Sequence, residues 1–450
     1  MGVVGALVLA GAVAASVAAA SGPSAPAHQS TTTTTTSVPT TVAPPQSAWR
    51  VAWGSAMAWG YGEANNTTVR DLATVGVGGS EIRIRVSNAF GNVPLVVGAV
   101  TVAPTAGGAA VVPGSMMPVH FSGAAGATIP VGQVLLSDPV ALPVTAHETV
   151  AVSVYVPSPE LVTVHPCCTA VQSYAAPNGA GNLTSSASGK ELPIADGWER
   201  WVDAIDVMQT GGTGSIVVLG DSISDGFNST TSWVNVLQQR IGMLPVGQQR
   251  AVVNEGISAN TLTQDVRTDS AVGGGPSGLA RFARDVTSQS GVTEMVLELG
   301  TNDLYFGDTA AQLIQGYQQI VTAAHTAGLR IVAVTVLPRD GNPKESWNTA
   351  QQAALEQVDT WIRTSGAFDD VIDLAPVVAD VYNHDCAPNL LFPAYDSGDH
   401  LHPNAAGDTA MADAIDGTKL QMGTLPRVPL LVPVTKTKDC NAALSPAPAP

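Results

Sequence analysis

Two short segments of this 450-residue chain carry side chains suited to nucleophilic chemistry. Ser222 sits in Gly220-Asp221-Ser222-Ile223-Ser224-Asp225-Gly226, directly after the apolar run Ser215–Leu219. A serine between the end of a buried strand and the start of a helix is presented to a cleft. The helix start also offers backbone N–H groups and positive potential to an anion. A serine hydroxyl is a weak nucleophile and needs a positioned base. Asp399-His400-Leu401-His402-Pro403 supplies one. An acid three residues before a histidine folds back within one turn and accepts the Nδ1–H. That leaves Nε2 of His402 free to take the serine proton. Acyl transfer further requires donors for the developing oxyanion. Asn302 in Gly300-Thr301-Asn302-Asp303 is suited to this, and the Asn254–Asn260 segment can add a backbone N–H. The triad order along the chain is therefore Ser222, Asp399, His402.

Competing motifs fit less well. Ser224 stands where a G-x-S-x-G elbow has its second glycine. No Gly-Lys-Ser/Thr follows to make a phosphate loop. Ser222 as a helix cap and Asn302 as a turn residue are the bland alternatives. His400 and His402 form an H-x-H pair without further spaced ligands, so neither metal nor cofactor is predicted.

The elements that must position these residues follow from Gly214 onward. Continuous apolar strands are predicted at Ser215–Leu219, Ala251–Asn254, Met295–Leu299, Arg330–Leu337 and Val371–Leu374. Helical periods intervene, with Trp233, Val236, Leu237 and Ile241 on one face, then Ala310–Ala327, Thr349–Thr364 and Ala405–Ile415. Strand and helix in alternation predict a doubly wound α/β domain, over 214–420, whose ligands bind beyond the carboxyl ends of the strands.

Residues 49–210 read differently. Glu81–Val86 alternates polar and apolar residues, and Val93–Val102, Thr128–Leu136 and Thr149–Val156 behave similarly between Gly and Pro turns. This grammar predicts a β-sandwich domain, joined to the α/β domain by Gly211–Gly214. Trp53, Trp59, Trp198 and Trp201 could anchor its core or form a sugar-stacking surface.

The first 20 residues include an unbroken small and apolar stretch ending Ala18-Ala19-Ala20, read as a secretory signal peptide or an anchor. Residues 21–48, rich in Thr and Pro, are expected to be a disordered linker, and 421–450 a C-terminal tail. The chain is thus expected to be secreted or extracellular, with cell-envelope association open and no stable membrane span after signal cleavage. Cys167, Cys168, Cys386 and Cys440 fit an oxidising compartment, where four cysteines allow three full pairings; Cys386–Cys440 is the favoured bridge. With 19 basic and 36 acidic residues the net charge is −17, which argues against nucleic-acid partners.

GDSISDG, the Asn254–Asn260 block, GTND and DHLHP resemble, in that order, the four sequence blocks of the SGNH or GDSL-type esterases and acylhydrolases. The resemblance covers about residues 214–416. The strand-rich region before it looks like the N-terminal β-sandwich of some secreted actinobacterial members, with Ser87–Gly91 as its most recognisable piece. The resemblance implies a flavodoxin-like three-layer α/β/α hydrolase domain and metal-free ester hydrolysis. It implies Ser222 as nucleophile, Asp399 and His402 completing the triad, and an oxyanion hole from Ser222, Ala259 and Asn302. One departure stands out: the family's second block has glycine where this chain has Ala259. Alanine keeps the backbone N–H but restricts φ.

The expected activity is hydrolysis of O-acyl esters, with short acyl groups on small alcohols or polysaccharide favoured over long-chain lipids. A lipase or phospholipase of the envelope is one alternative. A glycan-binding protein with a degenerate hydrolase domain is another.

Overall fold

The computed structural model describes residues 47–166, 172–267, 273–342, 346–380 and 387–428. The leader, most of the Thr/Pro-rich linker and all four cysteines lie outside the described residues, and so does the predicted bridge.

The apolar runs after Gly214 pair into one parallel sheet. Its order is Val252–Gly256, Ser215–Gly220, Val292–Glu298, Arg330–Val334 and Asp370–Ile372, which in sequence order is 2-1-3-4-5. Alternate residues on each strand explain why both faces are covered. Val217, Leu219, Met295, Leu297 and Ile331 pack with Leu313, Tyr317, Val358 and Ile362 from helices Ala310–Thr326 and Thr349–Thr364. Ile216, Val218, Val296 and Val332 pack with Trp233, Leu237, Ile241 and Met411 from helices Trp233–Gly242 and Ala405–Ala414. The result is three layers, α/β/α, as the strand–helix alternation predicts. The long helices begin where their sequences place caps: Thr309 and Asn348 each close a capping box with a glutamine three residues on. Among the described residues no helix is long and apolar enough to cross a membrane.

The preceding region is all antiparallel and comprises several sheets. One runs Ser47–Gly54, Val202–Thr210, Ile82–Ser87 and Val134–Leu136. A larger one is centred on Thr67–Thr74, Thr149–Val156 and Ala99–Gly107. Two expected strands are divided by their turn residues: Val93–Val102 becomes Leu95–Val97 and Ala99–Gly107, and Thr128–Leu136 becomes Ala127–Ile129 and Val134–Leu136. The polar residues that alternate along Glu81–Val86 do not all face water. Arg85 is buried because Asp203 accepts its Nε–H at 2.8 Å, replacing the water it would otherwise need.

The antiparallel and α/β parts share one apolar core, in which Val51, Ile82 and Val207 belong with Val217 and Met295. Hydrogen bonds join them: Val51 N–H donates to the Ser290 carbonyl at 2.8 Å, and Ser215 Oγ donates to the Val51 carbonyl at 2.7 Å. Of the four tryptophans singled out above, Trp201 is fully buried in the core, whereas Trp53, Trp59 and Trp198 are partly buried against it.

Candidate active site

Strand order reverses between Ser215–Gly220 and Val292–Glu298, the crevice where open parallel sheets place their ligands. Ser222 leaves the first of these strands and Asn302 the second. Asp221 caps the short helix Ser222–Asp225, its Oδ1 accepting from the Ile223 N–H at 2.9 Å. Gly226, at φ 94°, ends that turn in the left-handed region. Gly256 permits the close approach of the second strand end, since a Cβ there would lie 2.6 Å from the Asp225 nitrogen.

His402 Nε2 lies 2.8 Å from Ser222 Oγ, and His402 Nδ1 lies 2.6 Å from Asp399 Oδ2. The three side chains that the spacing predicts as partners are therefore in contact, although Ser222 and His402 are 180 positions apart. Asp399 Oδ1 accepts the Leu401 and His402 N–H groups at 2.9 and 2.8 Å, and Oδ2 also accepts from Asn228 at 2.8 Å. Burial opposes its charge, but the His402 ring and these N–H groups outweigh burial and hold the carboxyl well below the usual range. Asp399 is thus ionised wherever His402 could act as base. Ser222 and His402 are both largely buried, 6% and 7% exposed, so their contact is shielded from bulk water. Phe227 packs against the imidazole at 4.9 Å between ring centroids.

The expected oxyanion donors Ser222, Ala259 and Asn302 lie in the loops that follow three neighbouring strands of the parallel sheet. Asn302 donates through Nδ2 to the Asn260 carbonyl at 3.0 Å, which fixes the amide. Its other contact, to Asp221 Oδ2 at 3.4 Å, is long, so the second N–H is weakly held and available. The Ser222 N–H occupies the first helical turn, where it has no intrahelical acceptor. Ala259 takes φ 59°, the left-handed conformation for which glycine is better suited.

Several buried groups, most of them without a mark in the sequence, hold these loops. Asp225 Oδ2 accepts both the N–H and the hydroxyl of Ser258, at 3.1 and 2.6 Å, immediately before Ala259. His165, from the antiparallel strand Glu160–Pro166, faces the other oxygen of Asp225 at 3.4 Å. Arg281 donates to Asn260 Oδ1, to the Glu255 carbonyl and to the Gly220 carbonyl, at 3.0, 2.7 and 2.9 Å, tying two strand ends together. Asp303 accepts the Leu262 and Thr263 N–H groups, both at 2.9 Å, and burial still pushes its carboxyl up to about 6. Burial likewise pushes Asp221 up to about 7 and raises the Glu298 carboxyl, which accepts from Ser224 Oγ at 2.8 Å. Asp396 organises the histidine loop by accepting the Gly398 and His400 N–H groups at 2.8 and 3.0 Å. Asp221 and Asp303 stand inside the sequence blocks and are legible there as local hydrogen-bonding groups, and Asp396 carries the weaker signal of an Asp two residues before a glycine. The H-x-H pair is divided: His400 pairs with Asp396 at 2.6 Å while His402 faces Asp399 and Ser222.

Residues 218–410 match the family model of the GDSL-like Lipase/Acylhydrolase family. The α/β part is thus a GDSL-type acylhydrolase domain, that of a carboxylic ester hydrolase. A comparison with curated proteins finds no match. Among solved structures the chain is similar to the lipase/acylhydrolase from Enterococcus faecalis, at 20% identity over 48% of this chain and 98% of that one, with TM-score 0.36. It is also similar to a catalytic mutant of an acetylxylan esterase from Geobacillus stearothermophilus, at 18% identity over 48% and 97%, TM-score 0.36. A GDSL-like lipase from Bacteroides thetaiotaomicron matches at 18% identity over 46% and 88%, TM-score 0.35.

Proposed function

We propose that the protein is a secreted serine esterase that hydrolyses O-acyl esters through an acyl-enzyme on Ser222. The observation that carries this reading is the unbroken path from Ser222 Oγ through His402 to Asp399, at 2.8 and 2.6 Å. His402 Nε2 takes the proton as Ser222 Oγ bonds to the ester carbonyl carbon. The carbonyl oxygen becomes an oxyanion facing the N–H groups of Ser222 and Ala259 and the Asn302 amide. The imidazolium, stabilised by ionised Asp399, returns the proton to the leaving alcohol as the C–O bond breaks. Water then gives a proton to His402 as its oxygen bonds to the acyl carbon, and the imidazolium returns that proton to Ser222 Oγ as the acyl–serine bond breaks, which releases the acid. Asp399 keeps the imidazole in the tautomer with its proton on Nδ1 and remains a carboxylate throughout.

Short acyl groups on small alcohols or carbohydrate are the proposed substrates, and the apolar stretch ending at Ala20 supports export. Turnover of p-nitrophenyl acetate, butyrate and palmitate by the purified protein, with Ser222→Ala as blank, tests both points. Acetate turnover abolished in the variant is expected. A preference for palmitate would replace the short-chain reading by a lipase, and equal rates in protein and blank would remove the esterase reading.

A further inference from the structure

Ser222 begins a turn that ends against its own partners. The Ser222 carbonyl accepts the N–H groups of Gly226 and Phe227, both at 3.0 Å, and Ser229 Oγ donates to Asp408 at 2.6 Å. Asp408 belongs to the helix Ala405–Ala414, which follows the histidine loop directly. Held at both ends, the turn lays Phe227 on the His402 ring and aims the Asn228 amide at Asp399. Asn228 Nδ2 donates at 2.8 Å to Oδ2, the same oxygen that faces His402 Nδ1 at 2.6 Å. An ionised carboxylate only accepts, so the amide must present its nitrogen there. The other oxygen, Oδ1, is already fixed by the Leu401 and His402 N–H groups. Asn228 stands at φ 59°, a conformation that asparagine adopts more readily than most residues.

We propose that Asn228 is a positioning residue of the triad, which holds Asp399 Oδ2 on the Nδ1–H of His402. The proposal deepens the esterase reading and rests on it for its kinetic consequence. Backbone N–H groups restrain one carboxylate oxygen. The oxygen that does the work has the imidazole, which gains and loses charge in every cycle, and Asn228, which does not. A neutral donor on that oxygen therefore keeps the carboxylate aligned while the ring is neutral and its own bond to Oδ2 is weakest. Among the described residues, the charged groups facing the imidazole are Asp399 and, on the nucleophile turn, the buried Asp221. Neighbouring His400 is turned away to Asp396.

Two substitutions at this exposed position test it in the full chain. Asn228→Gly removes the amide and suits the left-handed backbone; Asn228→Asp keeps the size but sets a second carboxylate beside Oδ2. Both are assayed with p-nitrophenyl acetate across the pH range in which a histidine titrates, with active-site titration. In Asn228→Gly, kcat per titrated site is expected to fall about tenfold while KM stays within about twofold. In Asn228→Asp the acid limb of kcat/KM is expected to move up by about half a pH unit or more, because the added charge favours the imidazolium. A role in stability alone lowers the number of titratable sites and leaves that limb in place, which overturns the proposal. So does a kcat per site in Asn228→Gly within about twofold of the parent. NMR titration of the His402 ring, with isotope-labelled histidine in a Ser222→Ala background, reads the same coupling without substrate. Its midpoint is expected to rise in Asn228→Asp, and an unmoved midpoint overturns the proposal whether or not the protein turns over esters. Inertness toward every ester, with a midpoint that does rise, would remove the esterase reading and leave Asn228 on the Asp399–His402 pair.

Discussion

His165 and Asp225 face each other at 3.4 Å across the junction of the antiparallel and α/β parts, both almost fully buried. The Asp225 oxygen not facing His165 holds the Ser258 N–H and hydroxyl, one residue before the proposed oxyanion donor Ala259. His165 Nδ1 is anchored on the Ala56 carbonyl at 2.8 Å, so the strand-rich region reaches the oxyanion loop through three consecutive polar contacts. Burial disfavours the imidazolium, but Asp225 outweighs burial and lifts His165 to about 9. These contacts predict that His165 is a positioning residue. His165→Leu should lower kcat for p-nitrophenyl acetate by about tenfold with little change in KM, because the loop that receives the oxyanion loses its brace. His165→Gln, which keeps a donor, should recover part of that loss. Active-site titration separates this from a smaller folded fraction: a purely structural role lowers the number of titratable sites and leaves kcat per site unchanged.

The triad makes graded demands. Ser222→Ala should reduce p-nitrophenyl acetate turnover to the uncatalysed rate. Asp399→Asn should leave Ser222 and His402 in place but favour the wrong tautomer, at a loss of about 10⁴ in kcat. Asn302→Ala removes one oxyanion donor, which typically raises the barrier by about 3 kcal/mol, a loss of 10²–10³ in kcat. Steady-state kinetics with active-site titration measure all three. An Asn302→Ala enzyme within threefold of the parent would remove that amide from the oxyanion hole.

Much of this was legible in the chain because the relevant physics is local. The run from Ser215 to Leu219 has to be covered on both faces, and the helical periods after it supply the cover; three layers follow. Asp399 and His402 meet because three residues span one turn. The contacts that escaped are those made by charges far apart in sequence. Arg85 reads as a solvent-facing residue of an alternating strand until Asp203, on a neighbouring strand, gives it a buried partner. His165, Asp225 and Arg281 carry no local signal either, since their partners are defined only once the two halves share a core. Sequence periodicity reports which face is apolar and is silent about polar groups that are paired inside.

Ala259 stands at φ 59° where the related block has glycine. A Cβ in the left-handed region is strained by about 1–2 kcal/mol, whereas glycine loses about 0.5–1 kcal/mol of chain entropy on ordering. The first term is larger, so Ala259→Gly should raise the stability by about 0.5–1 kcal/mol. Denaturant midpoints at constant m-value measure it. A lower midpoint would mean that the alanine methyl makes contacts worth more than its backbone strain.

Glu199 sets a pH dependence whose sign can be worked out. Burial raises its carboxyl from 4.5 to about 7, with His165 pulling the other way. A group whose folded value is raised contributes its stability in full below the unfolded value and loses it as pH climbs through the folded value. The protein should therefore lose stability between about pH 4.5 and pH 7 through this group, and over a higher window, about 6.5 to 9, through His165. The Glu199 shift corresponds to about 3 kcal/mol once the carboxyl is fully ionised. Glu199→Gln removes that charge without changing the shape. Its melting temperature should exceed the parent's at pH 8 and match it at pH 4.5, where the parent's carboxyl is also neutral. The His165 window should survive in this variant and vanish in His165→Gln. Melting curves of the three proteins from pH 4.5 to 9.5 resolve the two limbs, and a Glu199→Gln protein that tracks the parent at pH 8 would mean that Glu199 is already neutral or compensated there.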